Sequence, residues 1–465
     1  MKKYLSNIFA GVLCASLIVV SGCGGGGGGG GSTSVTTPST SVTNPIASTL
    51  TKSNLPHMHA VHMEGNWGGN IQGISNLPDS YIQRLKANNI DYVAITLPIF
   101  MASISDPTVQ IRYRPSGSTN YDATYSFNDT DLSNAITKLK QNGINVYLSI
   151  ALLQSQTGAQ AGTCNSANYE VDPHLLGDPQ IPNASNSSGF EYQCVNPSLW
   201  WWNPSDARYA TNISTFWSTY TQVVVHYAQM AQQLGVGMIG LGEETDRLFT
   251  TRSSTRFPTN YKSQLSNMVT AVRAVYSGLV TYGQNGIVYS SHPEWWGFDY
   301  MASGYLFKDL GLDVVGLSYY FSIAPSTVAS VMSVAQLESL WNSNFQSVLS
   351  LVQANNSNIP IIFSSVGFSD AVNIPFQPLD SAGAAYAISD LNNNGIDDGM
   401  EQQSNMYQSL FNVNKNNNYP VAGFFCFGYV IDSDPNIFSA NQSTRNSELH
   451  NRPAEQIIKN TYSTF

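Results

Sequence analysis

Acidic and aromatic side chains recur where apolar segments of this sequence end. One segment ends in the acidic pair Glu243 and Glu244, and an earlier one ends in Glu64. Asn66 and Trp67 follow Glu64 at that same end. Two further ends carry imidazole, carboxylate and aromatic groups, namely His292, Glu294, Trp295 and Trp296 at one and Tyr319 and Tyr320 at the other. Aromatic faces stack on the CH face of a pyranose, carboxylates and amides bind its hydroxyls, and a protonated carboxylic acid can drive glycosidic cleavage. The combination predicts a sugar site. The alternative for any single aromatic residue is that its side chain belongs to the hydrophobic core or caps a helix.

The segment DLNNNGIDDGME has the spacing of a calcium-binding loop. Oxygen-bearing side chains recur at alternating positions, and Gly395 stands where the sharp turn of such a loop requires glycine. The predicted ligands are Asp390, Asn392, Asn394, Asp398 and Glu401, with the backbone carbonyl of Ile396. We expect a structural Ca²⁺ and no organic cofactor. A polar Asn/Gly turn without an ion is the alternative.

Eight strand-like apolar runs, separated by helix-length amphipathic stretches, must position these side chains. The runs are MHAVHM, DYVAITLPIF, NVYLSIALL, GVGMIGLGEE, GIVYSSH, DVVGLSYYF, IPIIFSSVGF and VAGFFCFGY. They are apolar on both faces, as parallel strands buried under helices are. In the helical stretch DLSNAITKLKQNG, Asp131 could cap the helix and Gly143 could end it.

Eight alternations of strand and helix predict an α/β fold, a closed (β/α)8 TIM barrel forming a single domain with loop insertions. In such a barrel the working residues lie at the carboxyl ends of the strands, where the acidic and aromatic side chains stand. An open doubly wound sheet is the alternative, but no glycine-rich nucleotide loop follows the first run.

The motifs GLGEE, PIIFSSVGFSD, MEQQSNMYQSL, GFFCFGY and NRPAEQII resemble those of the clan A retaining glycoside hydrolases, nearest to the β-mannanase family numbered 113. The resemblance covers residues 57–465. It implies that Glu244 is the general acid/base, with Glu243 where a neutral Asn or Thr usually stands. A neighbouring carboxylate raises the pKa of its partner by like-charge repulsion, which suits an acid catalyst. The alternative is an exposed acidic pair that opens a helix.

Ser365 departs from the resemblance, because it occupies the place of the family's nucleophilic glutamate. A serine there has no evident base to activate it, so it cannot form the covalent glycosyl ester of a retaining mechanism. Three explanations stay open. The chain is a non-catalytic relative that binds glycans; another carboxylate, Asp370, Glu294 or Glu64, substitutes; or the chain inverts configuration, with water in the vacated space.

The amino terminus has the pattern of a bacterial lipoprotein. Two lysines precede an apolar run from Ile8 to Val20, which is too short to anchor stably across a bilayer. The run ends in VVSGC, which resembles a lipobox. We therefore expect residues 1–22 to be a signal peptide and Cys23 to carry the lipid, with an ordinary secretory signal as the alternative.

A low-complexity segment separates the expected anchor from the domain. Residues 23–54 are rich in glycine, serine, threonine and proline, so they are predicted to form a flexible tether. The barrel domain is assigned to residues 55–465. The residue after the expected lipidated cysteine is Gly24 and not an aspartate, and in this the sequence resembles lipoproteins that are sorted to the outer membrane. The expected location is the bacterial cell envelope, at the outer membrane or cell surface.

Composition agrees with export and limits the partners. Charged residues make up only 11% of the chain, and the formal net charge is -10. A phosphate backbone would be repelled, so nucleic acid is not an expected partner. The expected partners are a polysaccharide or oligosaccharide, with the membrane contacted through the lipid anchor only and the protein a monomer.

The remaining cysteines and the early histidines have simpler explanations. Cys164 and Cys194 bracket a Pro/Asn/Ser-rich segment, and an oxidising compartment favours their pairing into a disulfide that closes this loop. Cys426 lies in an apolar run and is expected to be a buried thiol. The histidines of the first run alternate, and we expect no metal there; they are His57, His59 and His62.

Overall fold

A computed structural model describes most of the barrel but not the amino-terminal segment. The described residues are 55, 57–63, 73–103, 106–115, 125–154, 170–171, 194–195, 207–243, 262–285, 310–356, 359–379, 388–431 and 446–464. The expected signal peptide, the lipidation site and the tether lie outside these residues. Within the described part of the chain, no helix is both long and apolar enough to cross a membrane.

Eight parallel strands close into a barrel. They are β1 (Ala60–His62), β2 (Tyr92–Ser103), β4 (Asn145–Gln154), β7 (Met238–Glu243), β8 (Leu279–Asn285), β9 (Val315–Ser318), β10 (Ile361–Val366) and β11 (Val421–Cys426). The strands pair in chain order, and β1 pairs with both β2 and β11, which closes the circle. Closure confirms the predicted (β/α)8 barrel and excludes the open doubly wound sheet.

Three short strands lie outside the barrel circle. β3 (Asp106–Gln110) pairs antiparallel with the far end of β2, where β2 continues beyond the barrel rim beside β4. β5 (Glu170–Val171) and β6 (Cys194–Val195) form a separate antiparallel pair. Cys164 lies outside the described residues, so the disulfide with Cys194 stays a prediction.

The fifth barrel strand differs from the sequence prediction. β8 is the segment LVTYGQN and not the run GIVYSSH, which lies outside the described residues. In β8 the side chains alternate, with Leu279 in the barrel interior and Val280 and Tyr282 in the layer beneath the helices. Both segments have strand-forming composition, and pairing with β7 and β9 selects the earlier one.

Seven helices of the described residues surround the barrel. They are α1 (Asp79–Ala87), α2 (Asp129–Gln141), α3 (Tyr209–Leu234), α4 (Lys262–Arg273), α5 (Val334–Asn355), α6 (Asp398–Asn416) and α7 (Pro453–Tyr462). The proposed cap of α2 is wrong, because Asn128 occupies the N-cap and Asp131 lies within the first turn, accepting from Ser75 Oγ at 2.9 Å. Gly143 follows the end of α2 with a φ of 79°, as a helix stop requires.

The core has two layers. Inside the barrel, Tyr92, Tyr147 and Phe425 pack with small and aliphatic side chains, and the Tyr147 and Phe425 rings meet edge to face at 5.2 Å. A larger layer fills the space between strands and helices. It includes Cys426, which is buried as expected, and burial raises the pKa of its thiol to about 12. The barrel floor is therefore aromatic and closed below the mouth.

Polar contacts join the first and last helices and hold the barrel shut. Arg84 on α1 forms an ion pair with Glu455 on α7 at 2.7 Å, and both side chains are largely buried. Glu455 also accepts from Asn88 at 2.7 Å and from Tyr429 at 2.8 Å. The Arg84 guanidinium lies 4.0 Å above the Tyr429 ring. Because α1 and α7 are far apart in sequence, these contacts stabilise closure of the circle.

Candidate active site

Glu243 at the end of β7 turns into the barrel mouth. The register between β7 and β8 shifts between Gly240 and Glu243, so the alternation of side chains changes before the strand ends. Oε2 of Glu243 accepts from the Ser149 hydroxyl of β4 at 2.7 Å. The neighbouring strand carries Gly283, and a Cβ there would collide with the Glu243 carboxylate. The carboxylate thus lies at the mouth, over the barrel interior.

Ser365 and Tyr320 meet on the opposite side of the circle, at the ends of β10 and β9. The hydroxyls of Ser365 and Tyr320 lie 2.7 Å apart, and only 6% of Ser365 and 9% of Tyr320 are exposed. The backbone holds them together, since the Tyr319 amide donates to the Ser365 carbonyl at 2.6 Å. Two neutral hydroxyls therefore occupy the position at which the sequence resemblance implies a nucleophilic carboxylate.

Tyr319 faces away from the mouth, which corrects its prediction as a sugar-binding side chain. It is fully buried, and its ring stacks on Phe363 with centroids 3.9 Å apart. Its hydroxyl donates to Asn344 of α5 at 2.6 Å. Adjacent residues at a strand end point to opposite sides, so only Tyr320 of the pair can line the mouth.

Asp370, one of the proposed substitute carboxylates, is part of a buried ion pair. Its carboxylate lies 3.5 Å from the guanidinium of Arg452, and neither side chain is exposed. It also accepts from the Asn446 amide at 2.6 Å. A carboxylate engaged in this way, without access to solvent, is not placed to attack a sugar. The structure thus argues against Asp370 as a replacement nucleophile.

His62 is a polar residue of the barrel interior whose role sequence reasoning missed. Its imidazole Nε2 contacts the Ser364 carbonyl, and the Tyr429 amide donates to the His62 carbonyl at 3.2 Å. Burial lowers the pKa of the imidazole to about 4, and the bond to the Ser364 carbonyl offsets part of that shift. His62 is therefore neutral at ordinary pH and donates through Nε2, which ties β1 to β10 beside Ser365.

The other buried polar side chains at the mouth were also missed by sequence reasoning. They are Thr96, Ser149, Ser318 and Ser364. The signal that could have found them is a polar residue at an inward position of an otherwise apolar strand, because such a position in a closed barrel faces the interior.

Several predicted site residues lie outside the described residues. They are Glu244, Glu64, Asn66, Trp67, His292, Glu294, Trp295 and Trp296. The last four were predicted at the end of the fifth strand, but that strand ends at Asn285, so they do not directly follow it in sequence. Their roles stay predictions.

The predicted calcium loop folds back on itself ahead of α6. The Asp390 carboxylate accepts from the backbone amides of Asn394 at 3.0 Å and Gly395 at 2.9 Å. The side-chain amides of Asn392 and Asn394 meet Oε2 of Glu401 at 2.8 and 2.9 Å. Gly395 has a φ of 84°, as the sharp turn requires. The loop thus gathers four of its candidate side chains.

Two other candidate ligands of the loop have different surroundings. Asp398 accepts from Ser389 Oγ at 2.7 Å and from the Leu391 amide at 3.0 Å, which closes the loop. Ile396 is required only for its carbonyl. Within the described residues, no three His, Cys, Asp or Glu side chains converge as a metal site. Carboxylate and side-chain amide oxygens are the ligand types that Ca²⁺ uses, and binding of the ion at this loop stays a prediction.

Comparison with known proteins agrees with this geometry. The sequence profile of Glycoside Hydrolase Family 113 matches residues 201–448, just over half of the chain, including β7 to β11. A search of curated proteins found no match.

Solved structures of β-mannanases share the fold. The β-mannanase of family 113 from Alicyclobacillus acidocaldarius has a TM-score of 0.54 at 14% identity, with 88% of this chain and 98% of that chain covered. A second family 113 β-1,4-mannanase, solved as a complex, has a TM-score of 0.51 at 15% identity, with 88% and 100% covered. At this identity the likeness establishes the barrel, and the profile match establishes the family. The chain belongs to glycoside hydrolase family 113.

Proposed function

We propose that this protein is an extracytoplasmic glycoside hydrolase that acts on a β-linked, mannan-like polysaccharide, with Glu244 as its acid/base. The observation that supports this most directly is the end of β7, where Glu243 enters the mouth and Glu244 is the next residue in sequence. Barrel enzymes carry their catalytic groups at such strand ends. A mannan-like substrate is proposed because both family 113 structures compared above are β-mannanases.

A second function, glycan binding without hydrolysis, is favoured by the contact between Ser365 and Tyr320. These hydroxyls fill the nucleophile position at 2.7 Å from each other. Loss of one member of a catalytic unit typically lowers the rate by about four or more orders of magnitude. Glu64 and Glu294 remain candidates for a substitute carboxylate, and water at this position would instead give inversion.

One set of assays separates the two functions. Release of reducing ends and binding should be measured on a panel of β-linked glycans for the wild type, Glu244→Gln and Ser365→Glu. Hydrolysis by the wild type that Glu244→Gln abolishes supports the enzyme and sinks the binding-only alternative. Wild-type binding without hydrolysis, with activity gained only in Ser365→Glu, supports the second function. A wild type that neither binds nor cleaves any β-glycan overturns both.

We propose further that Cys23 anchors the protein to the outer membrane or cell surface, and that the barrel acts there as a monomer. The support is the sequence VVSGC and the low-complexity tether of residues 23–54. Fractionation of cells that express the full chain tests the anchor. The wild type is expected with the membranes and Cys23→Ser with the soluble exported proteins. Equal distribution of the two would overturn the anchor.

We also propose that the loop from Asp390 to Glu401 binds a structural Ca²⁺. Support comes from the ligand spacing and from the meeting of Asn392 and Asn394 with Glu401. An ion that binds only the folded state at a hundred times its dissociation constant stabilises it by about 2.7 kcal/mol. Chelation should therefore lower the melting temperature of the wild type but not of Glu401→Gln. An unchanged wild-type melting curve would count against the ion.

A further inference from the structure

We propose that Glu243 determines which sugar unit the barrel mouth accepts, by selecting units that present hydroxyl or ammonium donors and rejecting uronic acids. The inference rests on the proposed glycan-binding function of the same mouth. It concerns the chemical class of the bound unit, whether or not that unit is then cleaved.

The backbone around Glu243 places its carboxylate at the mouth. The register shift at the end of β7 turns Glu243 inward. Gly283 on the adjacent strand leaves space that a Cβ would occupy, and Gly240 leaves room for Tyr147, whose hydroxyl would lie 2.5 Å from a Cβ at 240. Gly283, Gly240 and the register shift together make room for the Glu243 side chain above the buried Tyr147 ring.

The charge of Glu243 determines which ligand groups can lie beside it. Ser149 donates to Oε2 at 2.7 Å, and donation to a carboxylate favours its ionised form. Glu243 lies close enough to the barrel floor that its carboxylate, when ionised, adds to the effect of burial in raising the pKa of Tyr147. An ionised carboxylate can only accept hydrogen bonds, so a ligand group beside it must donate.

Ligands of different charge respond differently to an ionised Glu243. Sugar hydroxyls can donate to Glu243, and an ammonium adds a favourable charge. A uronate carboxylate would place like charges close together where the protein excludes water, which strengthens their repulsion. A role limited to tying β7 to β4 through Ser149 would instead leave ligand charge without effect, so the two roles give different results.

Three tetramers test the inference: β-linked mannose, β-linked glucosamine and β-linked mannuronate, each titrated calorimetrically into the full chain. The wild type is expected to bind the glucosamine tetramer at least as tightly as the mannose tetramer, and the mannuronate tetramer about tenfold more weakly or worse. Glu243→Gln should weaken the first two by about ten- to a hundredfold, since a hydrogen bond to a charged group is lost, and should strengthen mannuronate binding.

The matched control is Glu338→Gln, which removes the same charge from α5, where Glu338 accepts from the Asn412 side chain of α6 at 2.6 Å. It should leave all three affinities unchanged, so an effect of net charge alone would be detected. Melting temperatures report whether each variant is folded, and a second variant, Glu243→Asn, retains an amide if Glu243→Gln does not fold.

The outcomes distinguish this inference from the proposed function. If the wild type binds the mannose tetramer but Glu243→Gln leaves the order of the three affinities unchanged, the inference is overturned while glycan binding stands. If the wild type binds the mannuronate tetramer as tightly as the mannose tetramer, it is also overturned. If the wild type binds none of the three tetramers, the inference is overturned, and failure across the wider β-glycan panel would overturn the proposed function as well.

Discussion

Replacing Asp370 with asparagine should destabilise the barrel strongly without acting on the chemistry of the mouth. Asp370 and Arg452 have no exposed side-chain surface, and their charged atoms are 3.5 Å apart. Removing one partner of a buried pair leaves the other charge uncompensated, which costs about 3 to 5 kcal/mol. For a barrel of about 400 residues, with about 2.1 cal/mol/K of unfolding entropy per residue, this lowers the melting temperature by about 5 °C.

The matched control is Asp79→Asn, at the exposed ion pair of α1 with α2. Asp79 is 82% exposed, and its partner Lys138 lies 2.6 Å away. Exposed pairs contribute at most about 1 kcal/mol, so this variant should melt close to the wild type. Thermal and urea unfolding of both variants provides the measurement, with glycan hydrolysis measured per folded molecule. If Asp370→Asn melts like the control but loses all hydrolysis, the structural role is refuted and Asp370 is the substitute nucleophile.

Two further changes test the mouth and its support. Gly283→Ala should displace the Glu243 carboxylate, because the new methyl group would occupy its place. We expect this overpacking to lower the free energy of unfolding by about 1 to 3 kcal/mol and to weaken glycan affinity. Urea unfolding and calorimetric titration provide the two measurements. His62 has an ordinary pKa of 6.5 and a folded pKa of about 4, so the stability it contributes is complete above 6.5 and is lost as pH falls towards 4. Over that window the loss is about 3 kcal/mol, and urea unfolding should show a flatter pH dependence in His62→Gln.

The barrel could be predicted because its strands carry a strong local pattern. Seven of the eight apolar runs coincide with barrel strands, since strands covered on both faces are apolar at most positions. The eighth prediction failed because LVTYGQN and GIVYSSH are both strand-like. Only pairing with strands distant in sequence decides between them, and in the observed register Gly283 lies beside Gly316.

The site was harder to predict because it depends on irregular backbone. Tyr319 and Tyr320 are adjacent and chemically identical, yet one stacks beneath α5 and the other contacts Ser365. The direction of the Glu243 side chain follows from a register shift between β7 and β8, and amino-acid composition does not predict such a shift. Ser149 and His62 each form a hydrogen bond to another strand of the barrel. These bonds exist only once the barrel is closed, so the apolar runs that contain the two residues do not predict them.

Placing a carboxylate at position 365 by Ser365→Glu tests how the mouth accommodates a serine there. Tyr320 lies 2.7 Å from the serine hydroxyl, so a longer side chain requires its ring to withdraw. We expect an unfolding cost of about 1 to 3 kcal/mol from this crowding. After withdrawal, the Tyr320 hydroxyl can donate to the new carboxylate and hold its pKa low enough for ionisation. In the double variant that combines Ser365→Glu with Tyr320→Phe, this hydrogen bond is absent. The apparent pKa of the acid limb of its pH–rate profile should therefore be about one unit higher than in Ser365→Glu alone. Identical profiles for the single and double variants would contradict this, because they would mean that Tyr320 does not control the position that decides between cleavage and binding.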